Sequence, residues 1–185
     1  MPLNPKTVVS RWLPQAAIAA ILCLLVYAAV QQSLRTGAND PQIQLAEDAA
    51  AALERGDALA SVIPAGKVAI EASLAPFVIA YDSAGHPLAG SGLFHGQLTA
   101  PPSGVFDFVR TNGEERVTWQ PERGVRIASV VTHANAKPVA FVLAGRSMRE
   151  VEARVQYVRV AAAAALVVTL AATLVLIAFG ELSLA

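Results

Sequence analysis

Cys23 is the only cysteine in the chain, and it lies inside a long apolar run near the amino terminus. A lone thiol excludes a disulfide framework, and no Cys or His pair stands at the spacing of a structural zinc site. Charge of one sign is also lacking, since 14 Lys and Arg balance 14 Asp and Glu. The stretch Gln31 to Arg159 is just as even, with 12 basic and 13 acidic residues. Nucleic-acid binders carry a basic stripe or patch, so no nucleic-acid partner is expected. Aromatic residues make up only 6% of the chain and charged residues 15%. What fills their place is apolar: 55% of the residues are hydrophobic, more than an ordinary soluble domain of this size carries.

The excess sits near the two ends. Every residue from Ala16 to Val30 is apolar, and Trp12 and Leu13 extend the run past Pro14 and Gln15. From Val160 to Phe179 only Thr169 and Thr173 interrupt. A hydrocarbon core of roughly 30 Å takes about 20 helical residues to cross, and neither run has the polar stripe of a buried amphipathic helix. Transmembrane helices are therefore predicted over 12–31 and 160–180. Short segments, 1–11 and 181–185, flank them, and one domain, 32–159, lies between. A cleaved signal peptide is the alternative for the first run, with Lys6 and Arg11 as its basic region and Ala28 and Ala29 as small residues near a cleavage site. Against it, the run is longer than a usual signal core and no A-x-A site ends it. Lys6 and Arg11 before the first helix favour a cytoplasmic amino terminus, an outside domain and a cytoplasmic carboxyl terminus. Arg146, Arg149, Arg154 and Arg159 before the second helix argue the other way, but long loops translocate largely regardless of charge.

Within the central segment, Asp40-Pro41 is a good helix start, and Ile43, Ala46, Ala50 and Leu53 recur at helical spacing up to a stop at Gly56. A short strand is expected at Val68 to Ile70. A hairpin follows, with arms Pro76–Asp82 and His86–Ser91, and then a loop, "GLFHGQLTAPPSG". Asn112-Gly113 predicts a second hairpin between Val105–Thr111 and Glu114–Gln120. Its register would set Phe106, Phe108, Val117 and Trp119 on one face, with Arg110 opposite Glu115. Strands at Val125–Thr132 and Val139–Ala144 complete five or six short antiparallel strands. The predicted class is α+β, with a helix packed on one sheet face.

The residues of catalysis are not gathered. His86, His95 and His133 each stand within two residues of Gly, Pro or Asn and read as solvated turn histidines. "GSGLFHG" misses the phosphate-binding spacing, and the carboxylates of Glu114, Glu115 and Glu122 read as hairpin charges. No enzyme activity, cofactor or metal site is expected. Tyr81, Arg110, Trp119 and Arg126 could line a pocket for a small anionic ligand, since arginine binds carboxylates bidentately. Cross-strand packing, with Arg110 against Glu115 and Arg126 beside Trp119, is the alternative.

"RSMREVEARVQYVRV" then runs without a turn signal into the second apolar segment. Met148, Val151, Val155 and Val158 follow the a/d spacing of a coiled coil. The same seam continues as Ala162, Ala165, Thr169 and Ala172, small residues that let membrane helices approach closely. The expected partner along it is a second copy or the helix of another membrane protein. Packing of Met148 to Val158 on the domain's own sheet is the alternative.

Two stretches carry a family resemblance. "FVIAYDSAGHPLAGSG" is similar to the strand, Asp-x-x-Gly turn and second strand of the extracytoplasmic PAS-like (Cache-type) sensor domains of bacterial sensor histidine kinases and chemoreceptors. "VAFVLAGRSMREVEARV" is similar to that family's last strand running into its exit helix. The resemblance covers roughly residues 42–159. It implies a central antiparallel sheet of order 2-1-5-4-3 crossed by a long N-terminal helix, and a place in the bacterial inner membrane with the domain periplasmic or extracellular. The loop Gly92 to Gly104 is shorter than the family's ligand-covering insert, and only "GELSLA" follows the second apolar run. Output is accordingly expected on another chain. The expected role is a membrane-anchored sensor-like protein that passes a signal through its helices. A structural or assembly subunit without a ligand is the rival.

Overall fold

Within hydrocarbon the backbone of a long apolar run finds hydrogen-bond partners only in itself, which favours a helix. Both runs are helices in the computed structural model, which describes residues 5–37 and 40–183. Helix α1 is Pro5–Thr36 and the last helix, α5, is Arg149–Ser183. Both are long and apolar enough to cross a membrane. The chain divides into two units, residues 1–34 with 153–185 and residues 35–152. In the first unit α1 and α5 are antiparallel neighbours. Trp12 Nε1 donates to the Leu170 carbonyl and to Thr173 Oγ1, both at 3.1 Å, and Arg11 pairs with Glu181. The less exposed side of α1 carries Val8, Trp12, Ala16, Cys23 and Tyr27.

The second unit begins with α2 (Asp40–Glu54), whose buried Ala46, Ala49, Ala50 and Leu53 form one helical stripe. The helix gives out before Gly56, at φ 95°, a left-handed position that favours glycine. Then come α3 (Leu59–Val62), β1 (Val68–Ala69), β2 (Phe77–Tyr81), β3 (Pro87–Gly90) and β4 (Gly92–Leu93). They are followed by α4 (Ser103–Asn112), β5 (Glu114–Glu122), β6 (Val125–Ala136) and β7 (Val139–Ser147). Five strands form one antiparallel sheet in the order β3-β2-β7-β6-β5. Counted among themselves along the chain, these five stand in the order 2-1-5-4-3, the order the resemblance implies. β1 and β4 make a separate two-stranded parallel pair, which the antiparallel reading did not contain.

All five residues of β2 are buried, so both faces of the sheet are covered. On one face lie Phe77, Ile79, Tyr81, Trp119, Ile127, Val131, Phe141 and Leu143, closed by Val105, Phe106 and Val109 of α4. On the other lie Val78, Ala80, Ala134, Val142, Val130 and Ala144, under α2. That second face is built from small side chains, which lets an alanine-rich helix pack close. The helix-on-sheet α+β arrangement agrees with the expected class.

One predicted element is replaced. Val105 to Thr111 is not a strand but most of α4, and the Asn112-Gly113 hairpin does not form. Asn112 instead ends the helix, with its side-chain amide donating to the Phe108 carbonyl at 3.0 Å. Gly113, at φ 87°, donates its N–H to the Val109 carbonyl at 2.7 Å. The register built on that hairpin falls with it. Phe106 is buried while Phe108 points outward, 48% exposed, and Arg110 pairs with Asp107 rather than Glu115. β5 finds its partner in β6, with Glu115 opposite Val131 and Trp119 opposite Ile127. His133 is likewise inside β6 rather than in a turn.

Candidate functional site

The β2–β3 turn is set by Asp82. Its Oδ1 accepts the N–H groups of Ala84 and His86, each at 2.8 Å, and its Oδ2 stands 3.3 Å from His86 Nδ1. Acceptance from the His86 backbone, more than any other contact, holds this carboxyl below its usual range. Gly85 completes the turn at φ 84°. This is the physical content of the Asp-x-x-Gly pattern, a carboxylate that ties two backbone donors and a glycine that turns the chain.

Just before that turn, Tyr81 faces the closed side of the sheet. Its ring lies 5.0 Å from Phe106, and Phe106 lies 5.1 Å from Phe141. The Tyr81 hydroxyl donates to the Thr99 carbonyl at 2.8 Å, and burial pushes the phenol far above its ordinary range. Arg110 reaches the same cluster from outside. Its guanidinium stands 5.2 Å from the Phe141 ring centre, pairs with Asp107 and donates to the Ser83 carbonyl. Two of the four predicted ligand residues, Tyr81 and Arg110, thus share one aromatic cluster. The other two do not join them. Trp119 is buried farther along the sheet, where its Nε1 donates to Ser129 Oγ at 3.2 Å. Arg126 points to the opposite face from Ile127 and Trp119 and pairs with Glu152 at 2.8 Å. The expected packing of Arg126 beside Trp119 is therefore replaced, and the four residues form no single pocket. A groove of about 1020 Å³ does open between the β2–β3 and β6–β7 turns, but it is lined by Asp82, Ser83, His133, Asn135 and Lys137, and by none of the four.

Arg110→Ala is expected to lower stability by about 1 kcal/mol or less, because its partners are surface groups and one ring face. Equilibrium urea unfolding of the full chain in detergent measures it, and a loss of several times that size would mean a buried role for the guanidinium.

The other polar candidates are dispersed. His95, at φ 49°, places Nε2 2.8 Å from Glu122 Oε2, and His133 meets the Phe141 ring edge-on at 5.7 Å. Arg116 pairs with Glu114 at 2.8 Å, and Glu115 has a buried Oε2 without a hydrogen-bond partner among the described residues.

A further set of polar contacts lies where β7 becomes α5. Pairing with β6 runs through Ser147 and continues one residue further, with the Met148 N–H donating to the Arg126 carbonyl at 2.9 Å. The helix begins at the next residue. Ser147 Oγ accepts the Arg149 N–H at 3.3 Å, and Glu150 and Glu152 occupy the first turn, where the helix dipole favours carboxylates. Each is also pinned by an arginine from the sheet, Glu150 by Arg146 of β7 and Glu152 by Arg126 of β6. Arg149 reaches the carbonyl of Ala72. The Arg146–Glu150 spacing was readable in "RSMREVE", whereas Arg126–Glu152 needs the strand pairing. Met148, just before α5, is buried, and along α5 Val151, Val155, Val158 and Ala162 are half-buried. Ala165 and Thr169 are exposed, and the half-buried positions continue through Leu166, Leu170 and Thr173, so the sheltered stripe leaves the expected seam after Ala162. No known protein family, curated protein or solved structure matches this chain.

Proposed function

We propose that the chain is a membrane-anchored, sensor-like protein whose sheet unit lies outside the cytoplasm and biases α5, which carries the signal to a partner chain. The observation that carries this reading is the junction at Ser147 to Glu152. A strand hydrogen-bonded inside the sheet passes without a linker into a helix long enough to cross a membrane, and two sheet arginines hold that helix's first turn. Through these contacts a small change in the sheet would reach the first turn of the helix. The strand order and the Asp82 turn support a PAS-like kinship for the domain. The partner is another membrane protein or a second copy, and the compartment is the bacterial inner membrane with both termini cytoplasmic.

A second reading, a structural or assembly subunit without a ligand, is favoured by the filling of the closed sheet face, where the Tyr81 hydroxyl is already satisfied within the chain. One preparation tests both. The full chain, tagged and extracted in mild detergent, is expected to bring down a membrane protein bearing a cytoplasmic output domain. Recovery of a stable complex with no such domain would favour the subunit. Arg123→Cys in a Cys23→Ser background is expected to react with an impermeant reagent on intact cells. Reaction only after lysis would reverse the orientation.

A further inference from the structure

We propose that α5 binds the phosphates of anionic phospholipids through Arg159, with the Tyr157 ring at the level of the headgroups on another side of the helix. This inference rests on the reading of both long helices as membrane-spanning. The Arg11–Glu181 pair joins the two helices and marks one boundary, because charged side chains are costly within hydrocarbon. Counting back from Glu181 at about 1.5 Å per residue, a core of roughly 30 Å ends near Ala161. Counting forward from Arg11 by the same rise, it ends on α1 near Gln31, where the apolar run gives way to Gln31-Gln32-Ser33. The two helices agree on the second boundary.

Just beyond that boundary, α5 presents Arg159 and Tyr157. Tyr157 is 76% exposed, an unusual setting for an aromatic ring in water and an ordinary one for a ring at a membrane surface. Arg159 is exposed and has no ion-pair or hydrogen-bond partner among the described residues. The arginines around the junction differ: Arg126 and Arg146 hold glutamates, Arg149 holds a carbonyl, and Arg154 is also partnered. No acidic residue follows Glu152 on α5 before Glu181, so nothing on this helix near Arg159 offsets its charge. A guanidinium offers two parallel N–H donors to a phosphate, and phosphatidylglycerol lacks the headgroup cation that offsets the phosphate of phosphatidylcholine. Tyr157 and Arg159 are two residues apart and point to different sides of the helix. They form a girdle that takes more than one lipid rather than a single pocket.

The test reconstitutes the full chain in nanodiscs of phosphatidylcholine alone and of phosphatidylcholine with phosphatidylglycerol, and measures the thermal midpoint in each. A ligand that binds only the folded state raises that midpoint. The wild-type chain is expected to melt higher with phosphatidylglycerol. Arg159→Gln should lose most of the rise and Arg159→Lys should keep part of it. Arg123→Gln, an exposed position in the β5–β6 turn, should keep it whole. Phosphatidylcholine discs report whether each variant folds. Equal midpoints in the two lipids for the wild type would overturn the proposal, and so would equal losses at Arg159 and Arg123, which would show diffuse attraction only. Failure of the membrane reading would look different, because the chain would then not enter discs at all.

Discussion

Phe77→Ala is expected to cost the sheet unit about 3–5 kcal/mol, the loss typical of a phenylalanine removed from a closed core. Phe77 is 1% exposed and sits in the row that crosses the sheet at Gly145. Its ring is held between two glycines. A methyl group added at Gly145 would lie 2.6 Å from Phe77 Cζ, and one at Gly92 would lie closer still to Phe77 Cδ2. Neither glycine is in the left-handed region, so the reason for glycine at both is space for this ring. Gly145→Ala should accordingly cost about 1–3 kcal/mol by overpacking, and this cost should largely vanish when Phe77 is already alanine. Urea unfolding of the four chains of that cycle, followed by Trp119 fluorescence in a Trp12→Phe background, measures the coupling. Additive losses would mean that the Phe77 ring and Gly145 do not share one space.

The same pairing explains what could and could not be read from residue order. Strands β2 and β3 were legible because Asp82 and Gly85 do local work, tying a turn within five residues. The helix α2 was legible from its alanine and leucine spacing, and the two long helices from composition alone. The segment 105–111 was not, because two local signals compete there. Asn-Gly is a strong turn signal between strands, but the same pair suits a helix end, where asparagine caps a carbonyl and glycine takes a positive φ. The helical signal was present in Val105, Phe106 and Val109, spaced to share one face, and in Asp107–Arg110, spaced to pair along a helix. What decided between them is nonlocal, since β5 pairs with β6 over seven positions while Val105, Phe106 and Val109, on one side of a helix, close the sheet face over Tyr81 and Phe141. The separation of Trp119 from Arg126 was equally out of reach, because it depends on the β5–β6 pairing, which sets Trp119 opposite Ile127 and leaves Arg126 on the other face.

The contrast between Phe106 and Phe108 tests α4 directly. In a helix they stand about 200° apart, so one can be buried while the other faces solvent; in a strand, two residues apart, they would share a face. Phe106 is 4% exposed, packed between Tyr81 and Phe141 and against the turn at Gly85, whereas Phe108 is 48% exposed. Phe106→Ala is therefore expected to cost about 3–5 kcal/mol, because its neighbours are held by the sheet and cannot close the space. Phe108→Ala should cost about 1 kcal/mol, since only about half of the residue is buried. The comparison is robust to detergent and to the reference state, as both variants remove the same group two residues apart. Phe106→Ala should also loosen the cover over Tyr81, seen as faster hydrogen exchange at Ile79 and Tyr81 and little change on the α2 face at Val130. Similar losses at the two phenylalanines would place both side chains on one face and return this segment to a strand.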